Sequence, residues 1–385
     1  MHDHSQRPRL RDIGLSIGLM PTGPHNAITD VPGVQVGHST LIQGQGRLIP
    51  GRGPVRTGVT AILPHERDVF REKVAAAIYR INGFGEVTNS EQVREMGVIE
   101  TPILLTSTLN VPRVADALLD WAMARDLEMG VSTWGPSPIV AECSDFLLND
   151  IRGRPDGPEH VFAALESAAE WPVAEGNVGG GTGMSCCEFK GGIGTSSRVL
   201  PEAAGGFTVG ALVMSNFGRR EHLLIDGVPV GRALKDWRPA EPAPEGQSSI
   251  IIVIATDAPA SSRQLERMAV RAGGGLARTG GLFSTSSGDF VIAFSNGNLT
   301  PHHPSQPILD QRQVAESLLA GQDWSHAPLI NHLFQAALEA TEEAILNSLF
   351  RAETMEGRDG HIRHALPIAE TVEILRRHGK DAHMP

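Results

Sequence analysis

The stretch that decides the fold is APEGQSSIIIVIATDAP, residues 243–259, where a polar segment containing Gly and Pro runs directly into an apolar one. The uninterrupted apolar run Ile250–Ala255 predicts a buried strand. Ser248 and Ser249 stand at its start. Serine is a common turn residue, so the pair can simply mark the turn before the strand. Alternatively, one of the two serines is a nucleophile held at the edge of a sheet, and the rest of the chain has to support that interpretation.

The composition is that of an ordinary globular protein: 385 residues, of which 41% are hydrophobic and 20% charged. The net charge is −11, and no run of Lys and Arg with interleaved aromatics occurs, so we expect no nucleic-acid partner. No apolar stretch is long enough to span a bilayer, and the N-terminal MHDHSQRPRLRD lacks the apolar core of a signal peptide. We therefore expect a cytoplasmic protein with no membrane partner.

The cysteines and histidines form no metal or disulfide pattern. Cys143, Cys186 and Cys187 offer neither a disulfide framework nor a paired CxxC site, and we expect them to be small buried residues. The 15 histidines are scattered or lie near the chain ends, and no HExxH motif occurs. The sequence predicts no catalytic metal and no cofactor.

Apolar strands and amphipathic helices alternate along the chain without a clean break in composition, which predicts an α/β (α+β) protein with helices on the outer faces of its sheets. In the segment 331–350, apolar residues recur at helical spacing, and Glu339, Glu342 and Glu343 are expected on the opposite, solvent-facing side. The predicted strands are 59–63, 102–106, 207–214, 250–255 and 289–295, and the predicted helices are 71–79, 113–124, 159–170, 262–272 and 331–350. Residues 236–247, rich in Pro and charge, are expected to form an exposed linker directly before the two serines.

A glycine-rich stretch, GNVGGGTGMSCCEFKGGIGTSSR (176–198), lies in the middle of the chain. Gly181-Thr182-Gly183 is not followed by the lysine of a P-loop, and no dinucleotide-binding frame surrounds it. Two interpretations stay open. The stretch is a plain loop, or Gly179, Gly180 and Gly181 bring backbone close to a ligand, with exposed amides available for a substrate oxyanion.

Ser287 and Asp289 precede the apolar strand at 289–295 in the segment FSTSSGDFVIAFS (283–295). Side chains two apart on a strand share a face, so the pair can form a hydrogen-bonded unit that positions a second hydroxyl. Such pairs are also common in turns. Ser249 supplies the second hydroxyl, because it too precedes an apolar strand, and a single predicted helix separates the two strands.

Seven segments taken together resemble the L-aminopeptidase/D-esterase family, which includes the β-peptidyl aminopeptidases and, more distantly, the nylon-oligomer hydrolases. The resemblance runs in order from about residue 8 to residue 378. It implies a four-layer αββα sandwich like that of N-terminal-nucleophile hydrolases, formed by one domain, 1–385. It also implies a precursor that cuts itself into an α chain, 1–248, and a β chain, 249–385. The segments are NGFGE (82–86), GNVGGGTGM (176–184), KGGIGTSSR (190–198), SNFG (215–218), SSIIIVIATDAP (248–259), LARTG (276–280) and SSGDF (286–290).

The resemblance also implies roles for single residues. Ser249 matches the nucleophile, freed when the bond after Ser248 is cut. Ser287 and Asp289 match the supporting serine and acid, although the family's acid is usually Glu. Asn216 matches the side-chain donor to the oxyanion.

Glu142, in SPIVAECSDFLLND (137–150), is similar to an acid that receives the free ammonium group of the substrate. Where relatives carry a tyrosine close by, this chain has Phe146 and Leu147, and its only tyrosine is Tyr79. A step assisted by a phenol is therefore not expected at this position.

The function implied is that of a serine aminopeptidase or amidohydrolase acting on short peptides, amides or esters. Its partners would be that substrate, the α and β chains of one precursor, and further copies in a homo-oligomer, a tetramer of αβ units. The α-amine of the new N-terminus has a reference pKa of about 7.7–8.0 and can take the hydroxyl proton, so no histidine is needed as base. Two alternatives remain: an endo-acting amidase similar to nylon-oligomer hydrolase, and an unprocessed relative that only binds a small ligand.

Overall fold

Helices and strands alternate along the chain, as its pattern predicts. The structure, a computed structural model, describes residues 7–239, 248–302 and 329–385. In chain order the strands are β1 (Gln35–Gln43), β2 (Val55–Leu63), β3 (Glu72–Gly83), β4 (Val98–Ile99), β5 (Ile103–Ser107), β6 (Ile139–Cys143), β7 (Ser185–Cys186), β8 (Phe189–Lys190), β9 (Gly192–Val199), β10 (Thr208–Asn216), β11 (Ser248–Thr256), β12 (Ser287–Pro301), β13 (Met355–Glu356) and β14 (Ile362–Arg363). The helices are α1 (Ser90–Met96), α2 (Val111–Arg125), α3 (Pro158–Glu166), α4 (Val230–Ala233), α5 (Ser262–Arg278), α6 (Leu329–Arg351) and α7 (Ile368–Arg377).

Two sheets form the centre of the fold. The larger has the strand order β4-β3-β12-β11-β10-β9, with β11 and β12 parallel and their other neighbours antiparallel. The smaller has the order β1-β2-β5-β6, with β5 and β6 parallel. Each parallel pair is joined through a helix, α5 or α2, as parallel strands require.

Three apolar clusters show how the sheets and helices are layered. One lies between the sheets and includes Leu105 and Ile251. A second joins the outer face of the smaller sheet to α2 and α3 and includes Val140. The third joins the outer face of the larger sheet to α5 and α6 and includes Ile252. The order helix–sheet–sheet–helix confirms the predicted αββα sandwich.

All five predicted strands are present; four are longer than the apolar runs that indicated them, and the fifth, β5, is shifted by one residue. The predicted helices at 113–124, 262–272 and 331–350 are also present, and the one predicted at 159–170 ends at Glu166. The predicted linker 236–247 lies outside the described residues from residue 240 onward.

The helix predicted at 71–79 is wrong, because this segment belongs to strand β3. β3 pairs with β12 on one side and with β4 on the other. Its alanines favour a helix in isolation, but here Ala76 packs between the sheets, and Ala75 and Ala77 belong to the cluster that includes α5. Pairing and burial in a central strand therefore override the local helix preference.

The solvent-facing acids predicted on the long helix are also wrong, because Glu339, Glu342 and Glu343 on α6 are all buried. Arg198 of β9, itself buried, binds Glu339 at 3.2 Å and Glu343 at 2.8 Å. Arg11 of the N-terminal segment binds Glu343 at 2.7 Å. The acidic face of α6 therefore binds the larger sheet, through Arg198, and the N-terminal segment, through Arg11.

Replacing Arg198 by methionine should destabilise the protein by about 3–5 kcal/mol, because it leaves carboxylates buried without their shared cation. Urea unfolding checks this. The matched control is Arg94→Met, whose ion pair with Glu91 is exposed and should matter little. If both variants have the same midpoint of urea unfolding as the unchanged protein, the buried ion pairs of Arg198 do not stabilise the packing of α6.

Candidate active site

The two serines of the opening stretch begin β11 in the middle of the larger sheet. Ser249 lies opposite Asn216 of β10 on one side and Gly288 of β12 on the other. Its side chain is buried. The amide nitrogen Nδ2 of Asn216 donates a hydrogen bond to Ser249 Oγ at 3.2 Å. The structure therefore brings the predicted nucleophile and the predicted oxyanion donor into contact.

The carboxamide of Asn216 is held at both ends. Its Nδ2 also donates to the carbonyl of Ser144 at 3.0 Å, and its Oδ1 accepts from the backbone N–H of Ser185 at 2.8 Å. These two contacts orient the amide so that its NH₂ group, and not its oxygen, faces Ser249. Sequence reasoning missed Ser144 and Ser185, because both act through backbone groups that no residue pattern reveals.

Ser287 and Asp289 form the predicted pair on β12. Ser287 Oγ donates to Asp289 Oδ1 at 2.6 Å, and both side chains are buried. Burial raises the pKa of Asp289, and the hydrogen bond from Ser287 lowers it in part. The shorter Asp reaches its serine, so the replacement of the family's usual Glu leaves this contact intact.

This pair contacts Ser248, whereas no hydrogen bond joins Ser287 to Ser249 in the described structure. The oxygens of Ser287 and Ser248 are 3.0 Å apart. Directly opposed residues of parallel strands share a face, and Ser287 lies opposite Ser248. The sequence analysis took Ser249 to supply the hydroxyl that this pair positions, but the hydroxyl in contact with Ser287 is that of Ser248. Ser287 Oγ is the donor in both contacts, so its one proton is shared between Ser248 Oγ and Asp289 Oδ1.

Glu142 on β6 is a buried acid held by two donors. Its Oε1 accepts from the backbone N–H of Glu86 at 3.1 Å, and its Oε2 accepts from the hydroxyl of Thr108. Burial raises the pKa of Glu142, and these hydrogen bonds lower it in part. A Cβ on Gly85 would lie 2.9 Å from Glu142 Oε1 and 3.1 Å from the Cα of Gly288. Gly85 therefore lies between the acid and Gly288, the residue opposite Ser249.

Cys143, the residue after Glu142, lies on the smaller sheet close to the predicted nucleophile. Its thiol donates to the carbonyl of Met214 at 3.5 Å, and the nearby hydroxyl of Ser249 lowers the pKa of the thiol in part. Burial raises the pKa of this thiol. All three cysteines are free and buried, as expected. Cys143 was not predicted to lie at the site, because a lone apolar cysteine in a strand carries no such signal.

The glycines predicted to bind substrate do not present free amides. The amide of Gly179 donates to Thr40 Oγ1, that of Gly180 to Thr60 Oγ1, and that of Gly181 to the carbonyl of Val178. All three glycines are buried. The expectation that these three amides are exposed and available for an oxyanion is therefore wrong.

These glycines instead allow close packing between the two sheets. A Cβ on Gly180 would lie 2.8 Å from both the Leu105 carbonyl of the smaller sheet and the Met214 sulfur of the larger one. A Cβ on Gly181 would lie 2.5 Å from the backbone nitrogen of Ile193. Glycine is needed here because backbone approaches backbone, not because a ligand does.

Neither residue at the family's tyrosine position supplies a hydroxyl. Phe146 is partly exposed, and the guanidinium of Arg358 lies 4.2 Å from its ring centroid. Leu147 is buried. Tyr79 lies on β3 and packs against the cluster that includes α5.

Among the described residues, no group of three His, Cys, Asp or Glu side chains could hold a metal ion. In the same part of the chain, no helix is both long and apolar enough to cross a membrane.

An αββα sandwich in which a serine begins a central strand, faced by an amide donor, defines a hydrolase of the N-terminal-nucleophile class. The chain belongs to peptidase family S58, whose sequence profile matches residues 26–363. It is 41% identical to the β-peptidyl aminopeptidase BapA of Sphingosinicella microcystinivorans, over 97% of this chain and 93% of that protein.

Solved structures of aminopeptidases agree with this assignment. The L-aminopeptidase D-Ala-esterase/amidase of Ochrobactrum anthropi, described as a variant of the N-terminal-nucleophile hydrolase fold, superposes with a TM-score of 0.84 at 38% identity, covering 97% of this chain and 99% of that one. A β-aminopeptidase of Burkholderia sp. has a TM-score of 0.83 at 42% identity, with the same coverage. The predicted family and fold are confirmed, and the chain is a peptidase of this family.

Proposed function

We propose that the chain is a precursor that cuts its own Ser248–Ser249 bond, and that the product is a serine aminopeptidase with Ser249 as its N-terminal nucleophile. The α chain, 1–248, and the β chain, 249–385, would stay together in one αββα domain. The observation that carries this proposal is the contact between Asn216 and Ser249, which places an amide donor beside the hydroxyl of the residue that would become the new N-terminus.

In the cleavage step, Ser249 Oγ attacks the carbonyl carbon of Ser248. The C–N bond breaks as the C–O bond forms, the hydroxyl proton ends on the nitrogen of Ser249, and water then hydrolyses the ester. The products are the carboxylate of Ser248 and the free α-amine of Ser249. The hydrogen-bonded chain Ser248–Ser287–Asp289 lies directly beside the bond that would break, so it can orient the departing residue and accept or return protons.

In turnover, the α-amine of Ser249 takes the hydroxyl proton while the oxygen attacks the carbonyl of the substrate. Asn216 donates to the oxyanion of the tetrahedral intermediate. The proton then passes to the leaving amine, and water releases the acyl group by the same route. A base with a pKa of about 7.7–8.0 is suited to this work near neutral pH.

Glu142 would bind the free ammonium group of the substrate. The described structure gives its carboxylate two hydrogen-bond donors but no cation, so a buried charge is left that an ammonium group would neutralise. This requirement makes the enzyme an exopeptidase that acts on N-terminal residues. The endo-acting amidase is the second candidate, and it follows if Glu142 takes no part in binding.

We further propose a homo-oligomer, a tetramer of αβ units, in the cytoplasm. Three apolar side chains in the segment after α2 support an assembly, because Leu127, Val131 and Trp134 are each more than 80% exposed. The three free cysteines agree with a reducing compartment.

The purified protein should run on a denaturing gel as chains of 248 and 137 residues. Edman sequencing of the smaller chain should read SIIIVIA. Ser249→Ala should stay at full length, whereas Ser248→Ala should still mature, because its hydroxyl contacts Ser287 and makes no attack. A smaller chain that begins SSIII would instead make Ser248 the nucleophile. A single band of full length for the unchanged protein would refute self-cleavage.

N-acetylated substrates should be turned over poorly, because acetylation removes the charge that pairs with Glu142. Glu142→Gln should raise KM for free substrates by roughly 10-fold or more. The KM of the unchanged enzyme should rise as the pH falls through the raised pKa of Glu142, since the protonated acid no longer attracts an ammonium group. Steady-state kinetics from pH 4 to 8 measure all three effects.

The matched control is Glu86→Gln, which keeps the backbone donor to Glu142 and removes only an exposed neighbouring carboxylate. It should change KM far less. Equal turnover of free and acetylated substrates would remove Glu142 from the site and favour the endo-acting amidase.

Asp289→Asn and Ser287→Ala should each slow both self-cleavage and turnover, by roughly 10²-fold, the scale of a positioned acid–base group. The double variant should be little worse than either single one, because residues that act as a unit lose their effect together. Ser295→Ala is the control, since Ser295 is a buried serine on the same strand and bonds only the carbonyl of Ala258. Normal maturation and turnover in both folded variants would reduce the pair to a strand cap.

A further inference from the structure

Lys190 is a fully buried lysine that the proposed mechanism does not use. It belongs to the KGGIGTSSR segment and lies on β8. Its ammonium group donates to the carbonyls of Gly181 and Gly191, at 3.0 and 2.7 Å, and it makes no ion pair within the described residues. Burial lowers the pKa of Lys190 to about 7. Burying a lysine without an ion pair costs free energy, so we expect Lys190 to have a specific role.

Asp145 is a buried acid on the other side of the same region. Its Oδ1 accepts from the hydroxyl of Ser107 at 2.7 Å, and its backbone carbonyl accepts from the N–H groups of Leu148 and Asn149. Burial raises the pKa of Asp145 to about 7. Its carboxylate is also one of the negative groups that partly restore the pKa of Lys190, so the two groups attract each other.

The two residues flank the two groups that orient Asn216. Lys190 is the strand partner of Ser185 in the β7–β8 hairpin, and the N–H of Ser185 binds Asn216 Oδ1. Asp145 follows Ser144, whose carbonyl accepts from Asn216 Nδ2.

The two flanking segments are also pressed together. A Cβ on Gly183 would lie 2.6 Å from the Cβ of Asp145, so the backbone just before Ser185 rests on this acid. The Lys190 ammonium ties the carbonyls of Gly181 and Gly191, which stand before and after the same hairpin.

We propose that Lys190 and Asp145 are positioning residues that hold the carboxamide of Asn216 with its NH₂ group toward Ser249. The inference rests on the oxyanion role proposed for Asn216. A carboxamide turned by 180° has nearly the same shape, and would put an oxygen where the oxyanion forms. The Ser144 carbonyl and the Ser185 N–H disfavour that state, because a turned amide would set oxygen against oxygen and N–H against N–H. Lys190 and Asp145 fix the two backbone segments that carry these groups.

The test replaces Lys190 by Met and, separately, Asp145 by Asn in the full-length precursor. Each change should slow self-cleavage and lower kcat by about 10- to 100-fold, the range for a displaced oxyanion donor. KM for free aminoacyl substrates should change less than about threefold, because both hydrogen-bond donors to Glu142 are kept. Ser107→Ala, which removes the donor to Asp145, gives a third and milder variant should Lys190→Met fail to fold.

A double-mutant cycle with Asn216→Ala separates positioning from general destabilisation. The cycle is measured on the rate of self-cleavage, so slowly maturing variants are still informative. Once Asn216 is gone, Lys190→Met and Asp145→Asn should have little further effect on that rate. The matched control is Lys73→Met, which removes another buried lysine, one paired with Glu100 at 3.3 Å, and should cost stability without lowering kcat.

If the effects of Lys190→Met and Asp145→Asn multiply fully with that of Asn216→Ala, the inference is overturned. It is also overturned if either folded variant behaves like Lys73→Met. An unchanged protein that neither cleaves itself nor releases N-terminal residues would instead refute the proposed function, so the two failures are distinguishable.

Discussion

The contact between Asn216 and Ser249 depends on the register of three neighbouring strands. β10, β11 and β12 place Asn216, Ser249 and Gly288 in one row across the sheet. A slip of one residue would turn every side chain of β11 to the other face. The run Ile250–Ala255 is buried at every position, so alternation of polar and apolar residues cannot fix this register.

Close backbone contacts at glycines are better suited to fix the register of these strands. A side chain at Gly194 of β9 would overlap the carbonyl of Ala344 on α6, and one at Gly288 would lie 2.7 Å from the carbonyl of Phe84. At each of these glycines the neighbouring backbone can come this close because no side chain is present. The contact therefore fixes the position of the strand relative to its neighbour. The geometry of the candidate active site therefore depends on glycines that take no part in the proposed reaction.

The buried acids of the molecule differ in whether a cation binds them. Burial raises the pKa of Glu343, but its bonds to Arg11 and Arg198 outweigh this and leave the pKa lowered. Glu142 and Asp289 have hydrogen-bond donors but no cation within the described residues, and burial leaves the pKa of each raised. The sequence shows only glutamates and aspartates, so it could not separate them, and the wrong expectation of solvent-facing acids on α6 follows from this. The five predicted strands could be recognised because they depend on apolar runs and turn residues alone, whereas the four-layer sandwich was implied by the family resemblance. Contacts set by tertiary packing, such as β3 as a strand, the occupied amides at Gly179–Gly181 and the approach of Ser248 to Ser287, were not.

The separation of the two serines onto opposite faces of β11 fits the two successive reactions of the proposed mechanism. Before the proposed cleavage the nitrogen of Ser249 is part of a peptide bond, so it cannot act as a base, and the first reaction needs another route for its proton. Ser248, Ser287 and Asp289 share the other face of the sheet, and their hydroxyls and carboxylate are already joined by hydrogen bonds. After the proposed cleavage Ser248 would belong to the other chain, and its hydroxyl would no longer have to remain against Ser287. On the proposed mechanism, the newly formed amine would then take its place and donate to the hydroxyl of Ser287. The same buried pair would therefore support the scissile residue first and the catalytic amine afterwards, while Asn216 remains on the opposite face in both reactions.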